Sequence, residues 1–363
     1  MKILIAGGAG YIGSTVTSVC IDNAITPVIL DNLTTGSREF VRDRIFYEGD
    51  IGDAGIVAKI FADHPDITTA IHCAGLLVAT ESVTDPLRYY RENIAKSLAF
   101  VESLTSAGCS RLVFSSTAAV YRPTPGYDVD ETSPIGPTHP YGASKAMLER
   151  ILADCGSSRL LDVISLRFQN VVGADPLLRT GPAGEDSPRV LDALMHAAES
   201  GGPFAIAGTD WPTHDGTALR DYVHVWDVAR AHLLTVQQFD PVVAAATPDG
   251  YLALDVGTGT GTTVRELVSA VESVVGHRIP VTDAPRRIGD IAGCRAHSRR
   301  AESLLGWRAH LSLDAAIRHQ VRWRALNGTR AVPAQPAAST MAGHAGRLQV
   351  ATPLSADSGS TTR

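Results

Sequence analysis

The chain has 363 residues, 44% of them hydrophobic and 19% charged, so it can bury more core than one ordinary domain needs and is not a disordered protein. Its formal net charge of -6 excludes a protein whose main work is gripping a polyanion such as DNA, while leaving room for a small phosphorylated ligand. The five cysteines are scattered with no C-x-x-C pair, which argues against a disulfide framework or a metal site and, with no membrane-length apolar run and no leader pattern, predicts a cytoplasmic protein.

From Met1 to Val172 short β-branched apolar runs alternate with longer amphipathic stretches, as in a parallel sheet flanked by helices. The strand candidates are Ile3–Ala6, Val28–Leu30, Ile45–Tyr47, Ala70–His72, Arg111–Phe114 and Val163–Leu166. Between them, Leu87–Ala107 is the clearest helix, with Tyr90, Ile94, Leu98, Val101 and Leu104 spaced as one apolar stripe. Beyond Val172, residues 173–188 and 208–217 are rich in Gly, Pro, Asp and Thr and read as long functional loops, with a helix at Val190–Glu199 between them. Asp221–Leu234 returns to strand and helix character, Tyr251–Val256 is one more buried strand, Thr263–Val275 a capped amphipathic helix and Leu311–Leu326 the last helix. The tail 331–363, rich in Ala, Pro, Ser, Thr and Gly, reads as disordered.

The first strand runs into Gly7-Gly-Ala-Gly10-Tyr-Ile-Gly13. Both Gly7/Gly10/Gly13 and Gly8/Gly10/Gly13 fit the spacings of a phosphate-binding turn, in which glycines let the backbone approach a pyrophosphate held by helix N-terminal amides. A second strand ends at Asp31, where a carboxylate can bind both ribose hydroxyls and repel a 2′-phosphate, favouring NAD over NADP. At the end of a third strand, Asp50 could meet an adenine amino group, although a helix N-cap is its commoner use. The fold expected is α/β: a Rossmann-type doubly wound parallel sheet over residues 1–172, to which 218–256 returns, and a smaller C-terminal α/β substrate-binding domain from 173–217 and 257–330.

Two further elements carry chemistry. Tyr141 and Lys145, at i and i+4 after Pro140, share one helix face, where an ammonium would lower the phenol pKa toward that of a working general acid/base. Ser115-Ser-Thr117 closes the strand that begins at Arg111, and Thr117 could hold the oxygen that Tyr141 deprotonates. Each pattern is common alone; their occurrence in this order is not.

These residues resemble the extended short-chain dehydrogenase/reductases, and most closely the UDP-glucose 4-epimerases, from Met1 to about Arg324. Supporting segments are Leu30-Asp-Asn32, Glu48-Gly-Asp-Ile51, Cys73-Ala-Gly-Leu76, Asn93, Asn170, Gly184-Glu-Asp186, Asp215-Gly-Thr217, Arg220-Asp-Tyr-Val-His-Val225 and Arg286-Arg287-x-Gly289-Asp290. The resemblance implies a bound NAD contacted by Gly7, Gly10, Tyr11, Ile12, Gly13, Asp31, Asn32, Asp50, Ile51, Cys73, Ala74, Gly75, Asn93, Ser115, Tyr141, Lys145 and Phe168. It also implies a UDP-sugar substrate contacted by Thr117, Tyr141, Asn170, Arg189, Val190, Leu191, Ala205, Ile206, Ala207, Arg220, Arg287, Asp290 and Cys294. Catalysis would fall to Tyr141, Lys145 and Thr117, oxidising the sugar at C4 and re-reducing it on the other face. A homodimer is implied, through the helix around Leu87–Ala107 and the one beginning at Tyr141.

The departures from that group's usual pattern are Leu77 for a lysine, Gln169 for an aromatic residue and Arg189 for an amide. Ala118 and Ala119 stand where sugar-nucleotide dehydratases carry an Asp-Glu pair, which argues against water loss. Cys294 replaces a tyrosine that crowds the sugar C2 substituent, so N-acetylated substrates, UDP-GlcNAc and UDP-GalNAc, are expected too. The other expectations weighed are a relative acting on an unusual nucleotide sugar in secondary metabolism, and a non-catalytic NAD-sensing regulator, which would usually lose Tyr141 or Lys145.

Overall fold

The computed structural model describes residues 1–183, 189–247 and 249–327; Gly184-Glu-Asp186 and the tail 331–363 lie outside them. Seven strands form one parallel sheet: β1 (Lys2–Ala6), β2 (Thr26–Asp31), β3 (Ile45–Glu48), β4 (Thr69–His72), β5 (Arg111–Thr117), β6 (Asp162–Phe168) and β7 (Tyr251–Val256). Their spatial order is β7-β6-β5-β4-β1-β2-β3. Every expected strand is present. The order reverses between β1 and β4, which opens a crevice at the carboxyl ends of the strands, where doubly wound sheets hold their ligands.

Both faces of the sheet are covered, which is why the strands read as continuous apolar runs rather than as alternations. Ile3, Ile5, Val113 and Ile164 face one core and Leu4, Val28, Leu112 and Val163 the other. A third core gathers Leu194, Met195, Phe204, Ile206, Leu267, Val271 and Ile317 around the short strands Phe204–Ala207 and Val281–Ala284, which pair in parallel. The helices that position the site are α1 (Tyr11–Asp22), α2 (Pro140–Ser157), α3 (Val190–Ser200), α4 (Val225–Gln237), α5 (Val264–Val275) and α6 (Leu313–Asn327). In α5, Thr263 and Glu266 form a reciprocal capping box, as the sequence suggests.

The stripe expected on Leu87–Ala107 is corrected. The segment is helical as Pro86–Tyr90, a π turn over Arg91–Ala95 and Lys96–Ser106. Its inward face carries Tyr89, Asn93, Ser97, Phe100, Val101 and Leu104, while Leu98 is exposed and Tyr90 and Ile94 are half-buried. Polar Asn93 and Ser97 take inward positions because each has buried partners: Asn93 holds both main-chain groups of Leu76 and the Ser144 hydroxyl, and Ser97 bonds His72 Nε2 at 2.8 Å. All five cysteines are free, and no helix among the described residues is long and apolar enough to cross a membrane.

Candidate active site

The loop from β1 to α1 is shaped by two glycines. Gly7 has φ +81°, and a Cβ on Gly13 would stand 2.1 Å from the Gly7 carbonyl oxygen; an L side chain at either place would push the turn open. A Cβ on Gly10 would meet only that oxygen, at 3.3 Å, so the backbone stays open to an approaching group there. The N-terminus of α1 receives no side-chain cap, leaving its amides and the positive end of the helix dipole to an anion. Asp31, at the end of β2, accepts from Ala9 N–H at 2.9 Å and Leu33 N–H at 2.8 Å, and burial raises its pKa. These features fit a dinucleotide with free ribose hydroxyls: a diphosphate cradle that a Cβ would fill, and a fixed carboxylate one strand away.

Several expected cofactor residues act on the protein itself. The carboxylate of Asp50 receives Lys96 Nζ at 2.7 Å, Asn32 Nδ2 at 3.0 Å and Gly52 N–H at 2.9 Å. Asn93 pins the loop of Gly75 and Leu76 rather than facing the cleft. Ile51 is buried and Ala74 packs against the same core. The Tyr11 hydroxyl donates to the Gly173 carbonyl at 2.6 Å.

At the crevice lies a cleft of about 600 Å³ lined by Ile12, Cys73, Gly75, Ser115, Thr117, Tyr141, Lys145 and Phe168 on the sheet side. Asn170, Arg189, Val190, Leu191, Ala205, Ala207, Arg220, Arg287, Asp290 and Cys294 line the other side. Ile206 does not join them: strand alternation sends its side chain into the third core. Arg220 pairs with Asp290 at 2.7 Å, so these two expected phosphate and ribose contacts are held together before any ligand arrives.

Pro140 opens α2, and His139 caps it by accepting from Gly142 N–H at 3.1 Å. Tyr141 and Lys145 therefore project together from the first turns of the helix, Tyr141 sharing the cleft wall with Thr117 and Lys145 Nζ donating to the Ser115 carbonyl at 3.0 Å and lying over the Phe114 ring. The expected low phenol pKa is not found. Burial pushes Tyr141 up to about 12, with the neighbouring Thr117 hydroxyl opposing it, and pulls Lys145 down to about 8. The same loss of water that brings the pair together disfavours both charged forms.

Sequence reasoning missed several residues. His139 stacks on the Tyr141 ring with an interplanar angle of 5°; its place before Pro140 and Tyr141 was its only signal. Beneath the site, Glu149 accepts from Ser116 Oγ and from Arg167, whose Nη2 lies 2.6 Å away, with both charged side chains less than 10% exposed. Arg167 Nη1 donates to Tyr121 Oη at 2.9 Å, and Tyr121 donates to the Asp255 carboxyl. Burial and the nearby Glu131 raise the Asp255 pKa to about 8. Glu149 continues the Tyr141/Lys145 face at i+8, which could have flagged it.

A model of the NAD dependent epimerase/dehydratase family matches residues 3–246. A UDP-glucose 4-epimerase of Azospirillum brasilense is 40% identical over 325 residues, covering 89% of this chain and 91% of the relative. Among solved structures, a UDP-glucose-4-epimerase from Stenotrophomonas maltophila with bound NAD and formylated UDP-arabinopyranose superposes with TM-score 0.84 at 34% identity, covering 91% of this chain and 99% of that one. The UDP-Glc/GlcNAc 4-epimerase from Campylobacter jejuni superposes with TM-score 0.74 at 31% identity, covering 90% and 99%.

Proposed function

Because the chain belongs to the NAD dependent epimerase/dehydratase family, we propose that it is an NAD-dependent UDP-hexose 4-epimerase, an isomerase interconverting UDP-glucose and UDP-galactose. The observation that carries this is the meeting of Thr117, Tyr141 and Lys145 in one cleft, with the dinucleotide cradle on its sheet side. Gly7, Gly10, Gly13 and Asp31 would hold the pyrophosphate and adenosine ribose of NAD, and Ser115, Lys145 and Phe168 its nicotinamide end. Bound NAD would supply the hydride-accepting and hydride-donating chemistry that epimerisation at C4 needs.

Thr117 orients the 4-hydroxyl by hydrogen bonding to it. Tyr141 takes its proton as C4 becomes a ketone and gives the proton back when C4 is reduced again. Lys145 favours the phenolate electrostatically at that moment. Arg220 and Arg287 bind the UDP pyrophosphate, guanidinium groups being suited to phosphate, and Asp290 the uridine ribose. Ala118 and Ala119 offer no acid to expel water, so the ketone is re-reduced rather than dehydrated.

The buried thiol of Cys294, whose side-chain neighbour is Gln169 Nε2 at 3.7 Å, leaves room at the sugar for an N-acetyl group. UDP-GlcNAc and UDP-GalNAc are therefore proposed as substrates as well. A cytoplasmic homodimer is proposed too, supported by exposed Leu87 and Leu98 on the helix before β5 and exposed Met147 on α2. The division into an NAD domain and a nucleotide-sugar domain is part of the same proposal.

The direct test is incubation of the purified protein with UDP-glucose, UDP-galactose, UDP-GlcNAc and UDP-GalNAc, with products separated by chromatography. Interconversion of each 4-epimer pair without net consumption of NAD is expected. Absence of any 4-epimer product would refute the assignment.

A further inference from the structure

We infer that His139 is a positioning residue for Tyr141, and that it works only while its imidazole is uncharged. This rests on the reading above of Tyr141 as the group that exchanges a proton with the sugar. His139 lines the cleft together with Tyr141. The two rings lie 5.8 Å apart between centroids, with an interplanar angle of 5°, an offset stack of the kind that planar side chains favour. Pro140 stands between them, and its locked φ limits how far the two side chains can swing apart. His139 itself has extended backbone, φ −151° and ψ 159°, the conformation that a following proline imposes.

The same ring caps α2. Its Nδ1 accepts from Gly142 N–H at 3.1 Å, a bond that only an unprotonated ring nitrogen can accept. The neutral ring therefore carries its one proton on Nε2. A second proton, on Nδ1, would remove the cap from the turn on which Tyr141 sits and would set a cation at the positive end of the helix dipole. One side chain thus fixes both the turn that carries the phenol and the plane in which the phenol ring lies.

The far bank of the cleft steadies His139. A Cβ on Gly289 would stand 3.2 Å from His139 Cβ, and Thr138 Oγ1 donates to the Gly289 carbonyl at 3.1 Å. Arg287 and Asp290 belong to that turn; Asp290 acts on the imidazole but is paired with Arg220 at 2.7 Å. In the neighbouring helix Ala79–Thr84, Glu81 is engaged by Arg88 and Tyr89. On α2, Lys145 donates to the Ser115 carbonyl, and the turn Ala118–Val120 carries no charged side chain. Burial holds the His139 pKa below its usual value, with Asp290 opposing. The neutral, working form is therefore the one present at neutral pH, and it is lost as the pH falls.

The experiment measures kcat and KM for UDP-glucose in the wild type, His139→Asn and His139→Ser between about pH 7.5 and 4.5, with near-UV circular dichroism checking that each protein stays folded. Asn and Ser both cap helices but do not titrate in this range; the second serves should the first not fold. The wild-type kcat is expected to fall about fivefold or more toward the acid end, as an N-cap is lost. The variants should start from a lower kcat, because the stack is gone, at unchanged KM, and should then change less than about twofold over the same range.

A folded variant with the wild-type acid limb, a wild type with no acid limb, or a variant altered in KM alone overturns the inference. A wild type that forms no 4-epimer at neutral pH overturns the functional reading instead.

Discussion

The ammonium of Lys145 donates to the main-chain carbonyl of Ser115 at 3.0 Å. That bond ties the helix carrying Tyr141 to the strand end carrying Thr117, so two segments distant in sequence set one reactive geometry. It also spends one of the three ammonium protons on the scaffold, leaving the others for ligand and phenolate.

Tyr141→Phe removes the hydroxyl proposed to exchange a proton with the sugar 4-hydroxyl. A fall in kcat of about 10²–10⁴-fold is expected, with NAD still bound, since the cradle at Gly7–Gly13 is untouched. Steady-state rates and NAD content after gel filtration check this; a variant retaining a tenth of the wild-type rate would contradict the assignment.

Lys145 sits at about 8 in the fold against 10.5 in an open chain. Below pH 8 both states carry the proton and the fold bears the cost of a buried ammonium. Between 8 and 10.5 the unfolded chain binds more protons, so stability rises with pH across that window. Relative to Lys145→Met, wild-type stability should gain on the order of 3 kcal/mol between pH 7 and 10.5. Urea unfolding of both proteins at the two pH values measures it, and a flat difference would show that Lys145 is not desolvated.

Glu149→Ala strands the Arg167 guanidinium in a buried site and frees Ser116, next to Thr117. A loss of about 3–5 kcal/mol in unfolding free energy is expected, read from denaturant midpoints. A loss below about 1 kcal/mol would mean that water reaches the pair.

Cys294→Tyr fills the space beside Gln169. Turnover of UDP-GlcNAc should drop by about tenfold or more relative to UDP-glucose, because a pocket that no longer admits a substituent discriminates by steric exclusion. Equal effects on both substrates in competition assays would detach Cys294 from the sugar substituent.

Leu98→Glu places a carboxylate on the exposed face that is proposed to meet a second copy. Sedimentation velocity should show a shift from dimer to monomer, since an unpaired charge in an apolar interface costs several kcal/mol. A wild type that sediments as a monomer would remove the basis for the dimer.

Much of this protein was legible one residue at a time. The seven strands announced themselves because a sheet covered on both faces needs continuous apolar runs, and the glycine turn because only glycine fits where a Cβ would strike the Gly7 carbonyl. Thr263 and Glu266 declared a helix start through their own side chains. The buried face of the helix before β5 was not legible, because Asn93 and Ser97 are inward only by virtue of Leu76, Ser144 and His72, partners brought in from outside that helix. Ile206 was misplaced for a simpler reason: its segment was read as a block, and a strand sends alternate side chains to opposite faces.

The sequence by itself determined the order of the chemistry: a dinucleotide turn, a carboxylate after the second strand, a threonine at a strand end, and a tyrosine and lysine one helical turn apart. These are local, set by neighbours within a few residues. Only the tertiary structure decided how the groups are charged and which of them meet. The phenol of Tyr141 stands high and the ammonium of Lys145 low because ionisation answers to the water excluded by every packed segment. Arg189 rests on Tyr11 because the fold brings together two helix starts that lie far apart along the chain.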